Sequence, residues 1–224
     1  MSKMDFSKSM VGKKILMAGT GFILLFFVLV HLLGNSSVFI GPDGINAYTE
    51  KLHSMPAFVW IFRLIMITVF SLHIFFGINL YLQNKASKPV GYSVKKSLKA
   101  TFASQNMIWT GSAIGVFLIY HLLHFTIRVL GIESPGTDSL GRPDVYSMVI
   151  KGLTDAPSAV IYIAGLIALV LHLFHGIQSL FQSTGISCEE VHHGVIKASR
   201  TAAVIIFIGY LAIPVVIFAG ILKY

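Results

Sequence analysis

Six of the nine histidines fall in stretches of sequence that contain no Asp, Glu, Lys or Arg. An ionisable side chain inside a membrane segment is rare and usually functional, because taking it out of water is costly. Neutral imidazole can bind a metal or pass on a proton. A single such histidine is as often a structural hydrogen-bonding residue as a functional one. Six of them in four stretches favour a cofactor or a proton path. They are His31, His73, His121, His124, His172 and His175.

Glycines recur at fixed distances from four of these histidines. In two cases a Thr-Gly step precedes the histidine, with the glycine ten residues upstream, and in two others a glycine follows it by four residues. These spacings are nearly three turns and about one turn of a helix, so each glycine shares a helix face with its histidine. A glycine there leaves room for a flat macrocycle. The four sets are Thr20-Gly21 with His31, Thr110-Gly111 with His121, Gly77 with His73, and Gly176 with His172.

Five membrane-spanning helices are predicted to carry these residues. Hydrophobic residues make up 55% of the 224 residues and charged residues 12%, about half the charge of a soluble domain. Five stretches without charge are each long enough to cross a bilayer, which takes about 20 apolar residues. We therefore expect an all-α membrane protein with a single transmembrane domain over residues 1–224 and no cleaved signal peptide. The helices are expected at residues 14–33, 57–84, 105–130, 158–181 and 201–223.

Lysine and arginine are divided unequally between the two sides of such a bundle. The side with the N-terminus and residues 85–104 and 184–200 has eleven of them, and the other side has six. Acidic residues divide three to six in the same order, so the net charges are +8 and 0. Because lysine- and arginine-rich loops stay in the cytoplasm, the N-terminus is expected to be cytoplasmic and the C-terminus outside. The basic side also suits anionic lipid or an acidic protein partner.

The depth of each histidine determines which of them can meet. His31 and His121 lie about 25 Å and 24 Å from the cytoplasmic ends of their helices. His73 and His172 lie about 18 Å and 15 Å from theirs. We call the first two the upper pair, expected in the outer leaflet, and the second two the lower pair, expected in the inner leaflet. Because a haem iron takes one neutral imidazole on each face, the two pairs predict two b-type haems at two depths.

The remaining candidate residues narrow the chemistry further. His124 and His175 each stand one turn beyond a proposed ligand and are alternatives to it. The single cysteine, Cys188, excludes intrachain disulfides, cysteine-ligated iron–sulfur clusters and c-type haem attachment. No nucleotide-binding or zinc-hydrolase motif occurs, and no nucleic-acid partner is expected. The three other histidines, expected in solvated loops, are His53, His192 and His193.

Five motifs follow one another along the chain: TGFILLFFVLVH at 20–31, INAYTEKLHSMP at 45–56, HIFFG at 73–77, TGSAIGVFLIYHLLHF at 110–125 and HLFHG at 172–176. In this order, on these helices, the chain resembles the single-chain, di-haem cytochrome b subunits that anchor succinate:menaquinone oxidoreductase or fumarate reductase in the membrane. The resemblance extends over nearly the whole chain, to the last helix.

The resemblance implies cofactors, partners and a location. The family's haem ligands fall on His31, His73, His121 and His172, in agreement with the depth argument. The implied partners are a flavoprotein subunit and an iron–sulfur subunit on the cytoplasmic side of a bacterial inner membrane, with menaquinone as the lipid-soluble electron partner. Some members carry a glutamate two residues before the fourth ligand, assigned to a transmembrane proton path. Here that position is Val170, so the resemblance does not extend to that path.

A quinone site is expected beside residues 45–56, near the upper pair. A quinone needs an apolar slot open to lipid, an electron carrier within reach and a group that exchanges protons with water. Glu50 and His53 lie one turn apart if that segment is helical, and each can exchange protons. Glu50 is the first candidate and His53 the second. The alternative is that both are solvated residues on an amphipathic surface helix.

Other functions are consistent with parts of the sequence. One is a di-haem cytochrome b of another respiratory complex, such as a hydrogenase or a formate dehydrogenase. Another is a proton-coupled transporter whose histidines relay protons, although the spans contain no central Asp or Glu and no clear pair of broken helices. A structural anchor without any cofactor leaves six intramembrane histidines unexplained.

Overall fold

The computed structural model describes residues 9–87, 101–134, 136–183 and 192–223. Within these ranges the chain is helical, and the only extended pairing is an isolated bridge between Thr137 and Pro143. Five stretches are long and apolar enough to cross a membrane, which confirms the expected all-α architecture with five spanning helices. They are Met10–Ile40, Pro56–Ala86, Met107–Ile127, Ala156–Ser183 and His193–Phe218.

Shorter helices accompany the spanning ones. A 3-10 turn follows α1, and a π-helix follows α5 without interruption. In chain order the elements of the described residues are α1 (Met10–Ser36), the 3-10 turn (Ser37–Ile40), α2 (Pro42–His53), α3 (Pro56–Ala86), α4 (Phe102–Gln105), α5 (Met107–His121), the π-helix (Leu122–Ile127), α6 (Val145–Thr154), α7 (Ala156–Ser183) and α8 (His192–Phe218).

The start of two spanning helices follows directly from the sequence. The hydroxyl of Ser9 caps α1 by accepting a hydrogen bond from the N–H of Gly12 at 2.9 Å. This bond satisfies one of the backbone donors that a helix leaves unpaired at its first turn. Pro56 occupies the first turn of α3, where its missing N–H removes no helical hydrogen bond.

The fifth spanning helix departs most from its expected bounds. It was expected at residues 201–223, but α8 covers His192–Phe218. It starts earlier because a helix can continue past the membrane through charged turns, so the last charge before an apolar run does not mark its beginning. It ends earlier because Gly220 adopts φ +68° and the N–H of Ile221 bonds the carbonyl of Val216 at 2.9 Å. This Schellman ending stops the helix before the C-terminal lysine.

Four spanning helices form a square. α1 packs along α3 and α5 along α7, while α1 also touches α7 and α3 touches α5. α8 lies outside the square, against α7 and α1. The diagonal partners, α1 with α5 and α3 with α7, make little close backbone contact in the part of the chain described. Side chains that reach inwards from opposite corners therefore bridge the centre.

One end of the square, where α1 and α5 finish, is covered by α2, α6 and the segment between the π-helix and α6. We call this covering the cap. Residues 131–157 were expected to be loop or short surface helix, but the helix found there, α6, faces inwards. Tyr146, Ile150 and Leu153 are only 5%, 2% and 3% exposed. They pack against Ile217 of α8 in an apolar cluster that also includes Tyr162 of α7, so the cap shares a core with the spanning helices.

Asn46 is the polar centre of the cap and is fully buried. Its amide nitrogen donates to the carboxylates of Asp138 at 3.2 Å and Asp144 at 3.3 Å. Its amide oxygen accepts the backbone N–H of Tyr146 at 2.9 Å. One side chain thereby joins α2 to the loop before α6 and to the first turn of α6.

A charged group surrounds this centre. Arg142 donates to Asp43 at 2.7 Å, and through both Nε and a terminal nitrogen to Asp138, also at 2.7 Å. Partial burial acts to raise the pKa of Asp138, but hydrogen bonds from Arg142, Asn46 and the N–H of Leu140 outweigh it and lower the pKa from 3.8 to about 2. Hydrogen bonds to the two carboxylates raise the pKa of Arg142. Both partners are therefore charged near neutral pH.

Six of the eleven lysines and arginines on which the expected orientation depends lie outside the described residues. They include Lys95, Lys96 and Lys99, where a docking surface for a protein partner was expected. The orientation of the termini therefore stays a prediction.

Candidate functional site

Both histidine pairs predicted from depth are brought together across the diagonals of the square. His31 of α1 faces His121, the last residue of α5, with ring centroids 5.9 Å apart and ring planes at 86°. His73 of α3 faces His172 of α7, with centroids 6.4 Å apart and planes at 65°. The imidazoles thus span the centre between helices whose backbones do not pack together.

These separations fit two imidazoles on opposite sides of one metal. A bond from a metal to an imidazole nitrogen is about 2 Å long, and the ring centroid lies roughly 1.2 Å behind that nitrogen. Two imidazoles that bound one metal from opposite sides would therefore have centroids about 6 Å apart. Among the described residues, no group of three or more His, Cys, Asp or Glu side chains could hold a metal ion. A haem needs only two protein ligands, since its macrocycle supplies the rest, whereas a zinc site needs three or four.

A threonine hydroxyl lies against each ring of the lower pair. Oγ1 of Thr20 is 3.1 Å from Nδ1 of His73, and Oγ1 of Thr110 is 3.2 Å from Nδ1 of His172. Each threonine sits on the spanning helix next to the one that carries its histidine. In both rings the nitrogen that contacts a hydroxyl is Nδ1, so Nε2 is the nitrogen that would bind a metal.

The glycines adjoining these threonines also serve the lower pair. A Cβ built on Gly21 would lie 3.3 Å from Cε1 of His73, and one on Gly111 would lie 3.3 Å from Cε1 of His172. The sequence had associated these glycines with room for a macrocycle beside the upper pair. In the structure they accommodate imidazole rings of the lower pair, and a macrocycle contact stays a prediction.

The two glycines that follow the lower-pair histidines have different surroundings. A Cβ on Gly77 would meet the methyl group of Met17 at 3.4 Å. A Cβ on Gly176 would have nothing within 4 Å, so this position opens onto space beside its histidine. A side chain at Gly176 would therefore meet open space, whereas one at Gly77 would meet Met17, and the contact of either glycine with a macrocycle stays a prediction.

Tyr162 of α7 links the two histidines at the end of α5. Its hydroxyl is 3.1 Å from Nδ1 of His121 and 3.2 Å from Nδ1 of His124. His124 is only 2% exposed, but the ring that faces His31 is that of His121. Sequence reasoning did not name Tyr162, although it precedes His172 by ten residues, the same spacing that places a glycine on the histidine face of α1 and α5.

The local geometry of α5 separates these two histidines. His121 closes the α-helix, and His124 lies in the π-helix that continues it. The π-helix ends at Arg128, which adopts a left-handed conformation with φ 62°. Insertions of π-helical turns are rare and frequent at functional sites, because they turn a side chain away from its α-helical direction.

A line of polar side chains leads from this region to the surface of the cap. The Tyr120 ring stacks on His124 with centroids 5.1 Å apart. Its hydroxyl is 3.0 Å from Oγ of Ser158, which in turn donates to Asp155 at 3.0 Å. Asp155 is exposed. This line connects the neighbourhood of the upper pair to water, and no sequence motif marked it.

The proposed quinone residues lie on α2. The segment is helical, so Glu50 and His53 are one turn apart as the sequence required, and both side chains are exposed. Tyr48 of the same helix packs against Gly34, close to His31 along α1. α2 is therefore at the same end of the bundle as the upper pair, while Glu50 and His53 themselves point outwards. Their part in quinone binding stays a prediction.

The described geometry offers two bis-imidazole sites at two depths, and hydroxyl groups hold Nδ1 of three of the four rings. No protein-family model matches the chain, and neither a curated protein nor a solved structure matches it. The functional argument therefore depends on the residues and their geometry.

Proposed function

We propose that this chain is the di-haem cytochrome b membrane anchor of a succinate dehydrogenase or fumarate reductase complex, and that it transfers electrons between an iron–sulfur subunit and menaquinone. The observation that carries the proposal is the presence of two opposed imidazole pairs, 5.9 Å and 6.4 Å apart, across the diagonals of a membrane-spanning square. Two sites at different depths suit electron transfer across a bilayer, which a single site does not.

Four histidines would hold the two haems, and aromatic side chains surround the upper pair. His31 and His121 would hold one haem, and His73 and His172 the other. When bound, haem supplies reversible one-electron exchange. Phe27 stacks on His31 with centroids 5.2 Å apart, and aromatic rings also flank His121. These rings exclude water from the ligands, and neutral imidazoles bring no charge into the membrane.

The proposed orientation places the cap outside and the basic loops in the cytoplasm of a bacterium. The support is the division of lysine and arginine, eleven against six, between the two sides. The +8 side would dock the iron–sulfur subunit, which in turn carries the flavoprotein subunit. Cross-linking from the lysines of residues 88–100 should capture a cysteine-rich partner. Labelling of these lysines from outside the cell would overturn the orientation and the dock together.

The proposed menaquinone site lies at the cap end, between α2 and the upper pair. Glu50 would exchange protons with the quinone, and His53 is the second candidate. Glu50→Gln keeps the shape of the side chain and removes its titration. This variant should slow quinone-linked turnover while both haems and succinate oxidation with an artificial acceptor remain. If Glu50→Gln and His53→Ala both leave quinone turnover intact, the quinone binds elsewhere.

The decisive experiment counts haem. Pyridine haemochrome titration of the purified protein should give about two haems b per chain. Alanine at His31 or His121 should remove one haem, and alanine at His73 or His172 should remove the other. His193→Ala, at an exposed position of α8, is the matched control and should remove neither.

The same measurement separates the competing assignments. Loss of a haem on replacing His124 or His175, but not His121 or His172, would move the ligand by one turn. Two haems with a hydrogenase or formate dehydrogenase as the co-purifying partner would retain the cofactors and change the complex. A haem content near zero would refute the proposal.

Without haem, a proton-coupled transporter becomes the second candidate. The observation behind this candidate is that the Tyr162 hydroxyl contacts both His121 and His124, which joins three groups that can pass on a proton. In that case Tyr162→Phe should abolish proton uptake into liposomes that contain the purified protein. A haem-containing protein that moves no protons would exclude this candidate.

A further inference from the structure

We propose that Thr20 and Thr110 are positioning residues that fix the tautomer of the lower-pair histidines, with the proton on Nδ1 and the lone pair of Nε2 directed to the iron. The inference deepens the proposed function and rests on it for the identity of the metal. Its observations are the two Thr–His contacts, 3.1 Å and 3.2 Å long, and the backbone contacts of the same hydroxyl groups.

The number of available protons determines the direction of each Thr–His hydrogen bond. A threonine hydroxyl has one hydrogen to donate and lone pairs to accept with. Oγ1 of Thr20 lies 2.9 Å from the carbonyl oxygen of Leu16 and 3.0 Å from that of Met17. A carbonyl oxygen only accepts, so the hydroxyl hydrogen goes to the backbone, as is usual for threonine within a helix. Towards His73 the same oxygen is then an acceptor, and Nδ1 must carry the proton.

Thr110 repeats this arrangement on α5. Its Oγ1 lies 3.1 Å from the carbonyl oxygen of Asn106 and 3.2 Å from that of Met107. It therefore accepts from Nδ1 of His172 at 3.2 Å. A neutral imidazole has one proton, so in both rings Nε2 is left with its lone pair. Two unrelated helix pairs thus present the same tautomer at the lower site.

The neighbouring glycines complete each contact. Because Gly21 and Gly111 lack a side chain, the ring can lie flat beside the helix while its Nδ1 reaches the hydroxyl. A methyl group at either position would stand 3.3 Å from Cε1 of the ring, tighter than an ordinary carbon–carbon contact. We call each Thr-Gly step a histidine seat. The motif that precedes the upper-pair ligands in sequence therefore serves the lower pair in space.

Each seat would affect the reduction potential of a bound haem as well as the tautomer of the histidine. An N–H that donates to an oxygen makes the opposite nitrogen a stronger ligand, and loss of such an outer contact typically weakens metal binding by about 10–100-fold. A stronger nitrogen ligand favours the ferric state and lowers the reduction potential. Tyr162 does not impose this on His121, because its hydroxyl contacts two imidazoles, each of which can donate or accept, and not a carbonyl that can only accept. The seats therefore act on the lower haem specifically.

The test compares valine and serine at each seat in the purified complex. Thr20→Val and Thr110→Val keep the shape and remove the hydroxyl, whereas Thr20→Ser and Thr110→Ser retain it. Thr68→Val is the matched control, since the Thr68 hydroxyl also bonds a carbonyl of its own helix but is exposed and touches no histidine. The lower haem is identified as the one absent from His73→Ala.

The valine variants should keep the upper haem and raise the potential of the lower one. A tenfold loss of preference for the ferric state equals about 59 mV for one electron. The serine variants should restore the parental potential, and Thr68→Val should leave it unchanged. Loss of the lower haem in the valine variants alone, with retention in the serine variants, also supports the seats. Parental potentials in the valine variants, or equal effects of valine and serine, would overturn them.

A second measurement is independent of haem. Nitrogen-15 NMR of labelled histidine in the haem-free protein distinguishes a protonated Nδ1 from a protonated Nε2. The seats require protonated Nδ1 in both His73 and His172, and a mixture of tautomers once valine replaces the threonine. If the parent protein binds no haem but shows these tautomers, the proposed function fails while the seats stand. If the rings carry the proton on Nε2, the seats fail whatever the haem content.

Discussion

Replacement of Asn46 by alanine should open the cap locally. Asn46 is fully buried and makes three hydrogen bonds, two to carboxylates and one to the N–H of Tyr146 in the first turn of α6. Alanine leaves that N–H without a partner in a buried place, which costs about 1–3 kcal/mol, and removes two bonds to charged groups. We expect the free energy of local opening to fall by about 3 kcal/mol, which corresponds to a roughly hundredfold change in the opening equilibrium.

Amide hydrogen exchange at Tyr146 measures this opening without assuming that a membrane protein unfolds in one step. Exchange should rise by about two orders of magnitude in Asn46→Ala. Asn79→Ala is the control, because the Asn79 side chain is half-buried and bonds the carbonyl of Phe75 in its own helix. An effect at Tyr146 no larger than that of the control would show that the amide does not hold α2 to α6.

Three further results are expected. Gly165→Ala should disturb the spectrum of a haem bound by the upper pair, because its new methyl would overlap the Phe117 ring that flanks His121. Gly19→Ala should leave the spectrum unchanged, because its methyl would meet nothing within 4 Å. Identical spectra of the two variants would refute the packing argument. Because the pKa of Asp138 is lowered from 3.8 to about 2, its contribution to cap stability should be present above 3.8 and disappear as the pH falls through 2. The backbone N–H of Arg142 donates to the Asp138 carboxylate, so its amide hydrogen exchange should become faster as the pH falls over that range. In Asp138→Asn the exchange should no longer show this dependence on acid. Ring planes at 86° in the upper pair predict that a haem held there would give a strongly anisotropic low-spin ferric EPR signal, whereas parallel ring planes would give a rhombic one.

The spanning helices were predictable because charge is costly in lipid. Residues 57–84 fall inside α3, and residues 158–181 fall inside α7, each within two residues at either end. Depth alone also placed His31 with His121 and His73 with His172, since a helix advances by a fixed rise per residue. These features depend on one helix at a time, and a single sequence contains them.

Features that depend on which helices face one another were not predictable. Thr20 precedes His31 on its own helix but bonds His73 on the next. The partners of Asn46 are about a hundred residues away, and nothing in its neighbourhood marks a buried amide. The inward face of α6 was missed for a related reason, because a short helix between two spans reads as surface until its core partners are known. Gly220 was the exception, since a glycine after an apolar run is a local stop signal that the expected boundary ignored.

Because a π-helix follows α5, a change in the length of the chain could move His124 without moving His121. A π turn contains one residue more than an α turn, so deleting a single residue within Leu122–Ile127 would let the segment wind as α-helix. The chain beyond the segment would keep its direction, because removing the extra residue of the π turn leaves the following residues in phase, while the residues within the segment would shift about the helix axis. His121 would still face His31, and His124 would leave Tyr162. A deletion usually damages a spanning helix, but here it would displace His124 and leave His121 opposite His31, and so show which of the two histidines the protein requires.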